Sequence, residues 1–274
     1  MPATASTGQL SSARRLVVKI GSGLIANTET GEIRESWLNT LIEDVGRLFS
    51  RGQQVIIVTS GAVAVGSRRA SLLDGAKHVA AAIGQVQIMR AYEKSLARCG
   101  LGVGQVLLSC EDIHNQNRRL NTKQTLQQLL QVEAVPVVNE NDTTATADIR
   151  VGDNDRLAAW VAQMVGADIL ILLSNVDGLF TEDPSGNPLA RLLTEVRFIT
   201  PEIEAMASHS PNRHSSGGMI TKLVAAKIAM EAGCKMLIAK GTISHPLSAI
   251  ERGGPSTCFV PFTNDRDKSE AGDS

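Results

Sequence analysis

Apolar residues follow two alternating patterns along the chain. Short, mainly apolar runs occupy residues 16–20, 54–58, 103–109, 134–138, 168–173, 236–239 and 258–262. Each has the length of a strand and is bounded by glycine or polar residues, which reads as a strand buried on both faces. Between the runs, apolar residues recur at helical spacing. Residues 35–51 place Trp37, Leu38, Leu41, Ile42, Val45, Leu48 and Phe49 on one face, with Gly52 as the stop. Residues 78–98 do the same with Val79, Ile83, Val86, Ile88, Met89, Tyr92 and Leu96. Further helices are predicted over 117–133, 155–165 (ended by Gly166), 201–207 and 217–232 (ended by Gly233). Strands alternating with helices predict an α/β fold, a three-layer α/β/α sandwich with a largely parallel central sheet. Residues 181–193 carry Pro184, Gly186 and Pro188 and read as an exposed excursion, and 208–216 as a polar, mobile segment. Residues 1–13 read as a disordered arm, 14–262 as one folded domain and 263–274 as a polar tail.

Composition narrows the function classes. The net charge is −1, which leaves no global field to draw nucleic acid or a membrane. Aromatics are only 3% of the chain, too few for stacking platforms on single-stranded nucleic acid. Cys99, Cys110, Cys234 and Cys258 are far apart and form no metal-binding pair, so they read as free thiols in a reducing compartment. The first 13 residues lack an apolar signal core, and no run reaches the roughly 18 apolar residues of a membrane span. The expectation is a cytoplasmic protein.

Candidate chemistry collects at strand ends. Residues 138–160 carry Glu140, Asp142, Asp148, Asp153 and Asp155 with Asn139, Asn141 and Asn154, opposed only by Arg150 and Arg156. This stretch reads either as a solvated loop with a helix cap at Asp153 or Asn154, or as a ligand-binding loop at the end of a buried strand. Lys19 lies inside an apolar strand, where an ammonium is costly unless it reaches water or an anion. Gly21-Ser22-Gly23 follows it, but no third glycine stands at position 26, so the dinucleotide fingerprint fails. Thr59-Ser60-Gly61-Ala62 forms a second small-residue turn into a helix, and Gly217 to Lys222 a third. In a parallel sheet these ends share one edge. Glycine turns, two lysines and carboxylates are the parts phosphoryl transfer needs: donors for charged oxygens and carboxylates to hold Mg²⁺ or orient the lysines. The Walker A spacing is absent. The five histidines show no nucleophile-elbow order and read as ordinary surface or core residues.

The segments VVKIGSG, IIVTSGAVAVG, AAIGQVQ, VPVVNENDTTATADIRVGDNDRLAA, GADILILLSNVDGLFTEDP and SGGMITKLVAAKIAMEAG carry a resemblance from Leu16 to Gly241. Together they resemble the amino acid kinase superfamily and, within it, the glutamate 5-kinase family. NENDT followed by VGDND is the most specific part. The resemblance implies the amino acid kinase fold, with a glutamate-binding N-lobe and an ATP-binding C-lobe. It implies ATP-dependent phosphorylation of the L-glutamate 5-carboxylate, the first step of proline biosynthesis. It assigns catalysis to Lys19, Lys222 and Asp155, with Asp155 holding both lysines. Glutamate is implied at Ser60, Gly61, Asn139, Asp142, Asp153 and Asn154. ATP is implied at Lys19, Gly21, Ser174, Asn175, Ser216, Gly217, Gly218, Met219, Ile220, Thr221 and Lys222, with Mg²⁺ carried mainly by its phosphates. It also implies a dimer or tetramer, proline as a feedback inhibitor and glutamyl phosphate reductase as a partner. Two features depart from the pattern: Asn175 stands where the family often has Asp, and Arg213-His214 precede Gly217. Many relatives continue into a C-terminal PUA domain, and the expectation here is a form without it. The alternatives are an acetylglutamate- or UMP-kinase-like phosphotransferase, or a non-catalytic glutamate or proline sensor. Retention of both lysines and Asp155 speaks against the sensor, since binding alone would not require all three.

Overall fold

The computed structural model describes residues 9–27, 29–70, 77–144, 153–208 and 218–261. In chain order the first half runs α1 (Gln9–Ser12), β1 (Arg15–Ile20), α2 (Ser22–Ile25), α3 (Glu35–Ser50), β2 (Gln54–Val58), α4 (Ala62–Ala70) and α5 (Lys77–Ala97). Then come β3 (Gly102–Leu108), α6 (Cys110–His114), α7 (Gln116–Gln131), β4 (Ala134–Glu140), α8 (Asn154–Val165) and β5 (Ile169–Ser174). The last part is β6 (Glu195–Val196), α9 (Pro201–Ser208), α10 (Met219–Glu231), β7 (Lys235–Lys240), α11 (Pro246–Glu251) and β8 (Ser256–Phe259).

These strands form one sheet in the order β3-β4-β2-β1-β5-β7-β8-β6. All pairings are parallel except β7 with β8. The sheet is the largely parallel one expected. The chain builds outward from β1 on one side, then crosses to add β5 and β7 on the other. Adjacent crossovers therefore part company beside β1, the position where open α/β sheets hold ligands.

Strand alternation divides the core in two. Leu16, Val18 and Ile20 face a cluster with Leu41, Ile42 and Val45 of α3 and Ile88 and Tyr92 of α5. Val17, Leu170 and Leu172 face Leu157 and Ala158 of α8 and Leu223 and Ala226 of α10. Because side chains alternate, Lys19 shares a face with Val17 and points toward α8 and α10.

Some elements differ from the sequence expectation. Residues 9–13 are not part of a disordered arm: α1 packs Leu10 fully into the core, and Gln53 Nε2 donates to the carbonyls of Leu10 and Ala13, each at 2.7 Å. Four residues are too few for a helical period, so the signal was absent. The two-residue β6 and the six-residue α11 escaped for the same reason. The final strand begins at Ser256, not Cys258. Of the expected mobile segment only Ser208, the last residue of α9, is among the described residues, and the polar tail lies wholly outside them.

Helices α4 and α5 cross at contact distance. A Cβ on Gly66 would lie 1.8 Å from the Ala80 carbonyl oxygen, and one on Gly84 would lie 1.9 Å from that of Ala62. The obstacles are backbone atoms, so the helices must separate to admit a methyl group. Gly84→Ala is expected to destabilise the fold by about 3 kcal/mol in urea denaturation, the upper range for overpacking. Gly23→Ala, where nothing lies within 4 Å, should stay within about 1 kcal/mol.

Candidate active site

The site is built on the first turn of α8. Asp153 is its N-cap, with extended φ and ψ of −161° and 131°, and its carboxylate accepts the Asp155 N–H at 3.0 Å. This cap fixes a turn that sends consecutive side chains to different partners. Asp155 points inward and is fully buried. Its Oδ1 lies 2.6 Å from Lys19 Nζ, and its Oδ2 lies 2.9 Å from Lys222 Nζ. Both lysines are themselves buried, with 6% and 5% of their surfaces exposed. Thr221 Oγ1 donates to the Gly218 carbonyl at 2.7 Å and sits 3.2 Å from Asp155 Oδ2. Residues more than two hundred positions apart in the chain thus share one carboxylate.

Electrostatics follow from this arrangement. Burial raises the Asp155 carboxyl, but the charges and hydrogen bonds of Lys19 and Lys222 outweigh it and hold it below the usual carboxylate range. Asp153 moves the other way, because burial and then the neighbouring Asp155 charge both raise it. Two ammoniums against one firmly ionised carboxylate make a place suited to a further anion.

Asn154 turns to the opposite side. Its Nδ2 shares two hydrogens among the Thr59 carbonyl at 2.6 Å, Asn139 Oδ1 at 2.8 Å and Ser60 Oγ at 2.9 Å. Asn139 Nδ2 donates in turn to Gln85 Oε1 at 3.0 Å. Ser60, Asn139 and Asn154 are therefore brought together as expected. Gln85, on α5, was not singled out as a site residue, although it stands in the quoted AAIGQVQ segment. The available signal was an amide among the apolar residues of the inward face of α5.

The glycine turns meet the same edge. Gly61 has a φ of +96°, and a Cβ there would lie 3.0 Å from Ile25 Cγ2, so the turn after β2 packs directly on α2. Gly21 is the N-cap of α2, and Gly218 is the N-cap of α10 without a side-chain cap. The first N–H groups of α10 thus open beside Lys222. Met219 is buried in the core, whereas Ile220 is 54% exposed. Ser174 Oγ donates to Asn175 Oδ1 at 3.3 Å, and the Ser174 carbonyl accepts from the Gly241 N–H at 2.7 Å. Asp142 lies on the turn after β4, its carbonyl 3.2 Å from His78 Nδ1. Ser216 and Gly217 lie outside the described residues. Among the described residues no group of three or more His, Cys, Asp or Glu could hold a metal ion, and no helix is long and apolar enough to cross a membrane.

Residues 14–240 match the model of the amino acid kinase family. The chain belongs to the amino acid kinase family. It is 65% identical over 260 residues to "Glutamate 5-kinase 2" of Mesorhizobium japonicum, covering 93% of this chain and 92% of that protein. It is 59% identical to "Glutamate 5-kinase 2" of Rhizobium meliloti, covering 94% of this chain and 97% of that protein. The fold also matches the carbamate kinase of Giardia lamblia bound to AMP-PNP, with a TM-score of 0.64 at 15% identity. That match covers 92% of this chain and 100% of the other and supports the amino acid kinase fold.

Asp155 carries a pH signature. Its native value is lowered, so its contribution to stability is complete above the unfolded carboxylate value of about 3.9. That contribution is lost as pH falls through the lowered native value. Denaturation of Asp155→Asn across acid pH should therefore give a flatter acid limb than the unsubstituted chain. At neutral pH this variant is expected to be the less stable of the two, because two buried ammoniums lose their partner.

Proposed function

We propose that the chain transfers the γ-phosphoryl group of ATP to the 5-carboxylate of L-glutamate, giving L-glutamyl 5-phosphate and ADP, the first step of proline biosynthesis. The observation that carries this reading is the buried Lys19–Asp155–Lys222 triad beside the Ser60–Asn154–Asn139 amide cluster. The first is suited to a transferring phosphoryl group and the second to a polar substrate held next to it. High identity to two glutamate 5-kinases supports the choice of acceptor.

A carboxylate acceptor, with an ordinary pKa of about 4.3, is already ionised at neutral pH and needs no general base. Catalysis reduces to alignment and charge stabilisation. Glutamate lies against Ser60, Gly61, Asn139, Asp142, Asp153 and Asn154, which present its 5-carboxylate toward Lys19. Gly21, Ser174, Asn175 and the start of α10 from Ser216 to Thr221 hold ATP. Lys19 and Lys222 meet the charge that grows on the transferring and leaving oxygens, and Asp155 keeps both in place. The residues present fit a triphosphate: α10 begins without a side-chain cap, and Lys222 in its first turn shares Asp155 with Lys19. Mg²⁺ bound to ATP supplies further neutralisation at the β- and γ-phosphates. The glutamate half thus lies on the β2–β4 side and the nucleotide half on the β5–β7 side. In this reading the protein works in the cytoplasm as a homo-oligomer. Its product passes to a glutamyl phosphate reductase, and proline, a cyclic analogue of glutamate, competes in the acidic loop.

Incubation with ATP and hydroxylamine, which traps acyl phosphates as hydroxamates, tests the acceptor. Glutamate should give product, while acetylglutamate and UMP should not stimulate ADP release. ADP release with acetylglutamate or UMP alone would reassign the substrate, and no turnover with any acceptor would favour a sensor.

Lys19→Ala and Lys222→Ala should each lower kcat by the equivalent of about 3 kcal/mol, the scale of one lost oxyanion donor. The double variant should lose less than the sum, because groups that act as a unit are not additive. Strict additivity would mean that the two lysines do not serve one phosphoryl group.

A further inference from the structure

The amide cluster has a fixed polarity that does not depend on how its oxygen and nitrogen atoms were assigned. Two backbone groups set it. The Glu140 N–H donates at 2.9 Å to the terminal atom of Asn139 assigned as Oδ1, so that atom must be the oxygen. The Thr59 carbonyl accepts at 2.6 Å from the terminal atom of Asn154 assigned as Nδ2, so that atom must be the nitrogen. Asn139 Nδ2 is then committed to its remaining neighbour, Gln85 Oε1. Flipping any one amide would set donor against donor or acceptor against acceptor. With its nitrogen so engaged, Asn154 presents Oδ1 as the atom left for a ligand, and no hydrogen bond to that atom occurs among the described residues. A carboxamide oxygen can only accept.

We propose that Gln85 is a positioning residue which, by holding Asn139 and through it Asn154, makes the site select a substrate with a free ammonium group. The inference rests on the glutamate reading above and deepens it. Gln85 and Asn139 are both more than nine-tenths buried, with 7% and 2% exposed, so solvent does not replace a lost partner. The Gln85 backbone follows Gly84, where a Cβ would lie 1.9 Å from the Ala62 carbonyl oxygen, and the Gln85 Nε2 has no hydrogen-bond partner among the described residues. Without the Gln85 oxygen, Asn139 Nδ2 becomes a buried donor with no acceptor, and its amide rotates to find one. The Asn154 side chain then loses the acceptor that, with Thr59 and Ser60, aims its oxygen. An ammonium, which needs acceptors, feels this loss. A carboxylate, which needs donors, does not.

Glutarate separates the two effects, because it keeps both carboxylates of glutamate and lacks the ammonium. The experiment measures the KM for glutamate, the inhibition constant of glutarate, the KM for ATP and kcat in the full chain and in Gln85→Met. The unsubstituted chain should prefer glutamate over glutarate. In Gln85→Met the glutamate KM should rise about tenfold, the scale of one hydrogen bond to a charged group. The glutarate constant, the ATP KM and kcat should stay within about twofold, which is small beside the effect of a charged hydrogen bond. If Gln85→Met does not fold, Gln85→Asn, whose amide is one methylene too short to reach Asn139, gives the same readout. A parallel rise for glutamate and glutarate would reduce Gln85 to a packing role and overturn the proposal. So would an unchanged preference in a folded variant. If the unsubstituted chain forms no hydroxamate from glutamate, the substrate reading itself fails before any variant is compared.

Discussion

One buried carboxylate sets the terms for the rest of the molecule. Asp155 has no exposed surface and meets two ammoniums that are themselves nearly enclosed. Each charge alone would be strongly unfavourable in the interior, and the arrangement holds only because the carboxylate pairs with both ammoniums. This forces the geometry around it. Lys19 must sit on the α8 face of the central strand, α8 must begin beside the end of β4, and α10 must start close enough for Lys222 to reach across. The Asp153 carboxylate, buried on the same turn, adds to the charge that Lys19 meets. The same three groups therefore link the requirement of the fold to that of the chemistry.

The first turn of α8 joins the two sides of the site through neighbouring residues. Asp155 serves the lysines, Asn154 serves the ends of β2 and β4, and Asp153 holds the turn from which both project. A shift of this turn would move the two lysine contacts and the amide cluster together. That coupling explains why a loop otherwise typical of solvated surface leads into one of the most buried helix starts in the chain. Asp153 adds a contrast, since its carboxyl is pushed up while that of its neighbour is held down.

Much of this was legible in the sequence for physical reasons. Long apolar runs and helical spacing located β1, β2, β4, β5 and β7 and the helices α3, α5, α8 and α10, because each buries a whole face and so carries a strong pattern. Lys19 drew notice as a charge inside such a run. The elements missed were α1, α2, α6, β6 and α11, all too short for a period to register. The amide chain was half visible. Asn139 and Asn154 lay in the polar stretch, whereas Gln85 lay in a helix that also carries Gln87, Arg90, Glu93 and Lys94, so one more polar residue conveys little until its neighbours in space are known. Pairing across the sheet, such as Lys19 beside Leu172 and Gly61 against α2, is a tertiary fact that spacing along one chain does not encode.

The crossing of α4 and α5 has a mechanical consequence. Where side chains separate two helices, rotamer changes let them slide or part; here the carbonyls of Ala62 and Ala80 meet the bare backbone of Gly84 and Gly66. No rotation about a χ angle relaxes such a junction. The pair must behave as a single lever, with Ser60 just before one arm and Gln85 on the other. The spacing between Ser60 and Gln85 is then fixed by glycine rather than by the loops around it. The start of α10 has no such lock, since Gly218 caps it without a side-chain hydrogen bond.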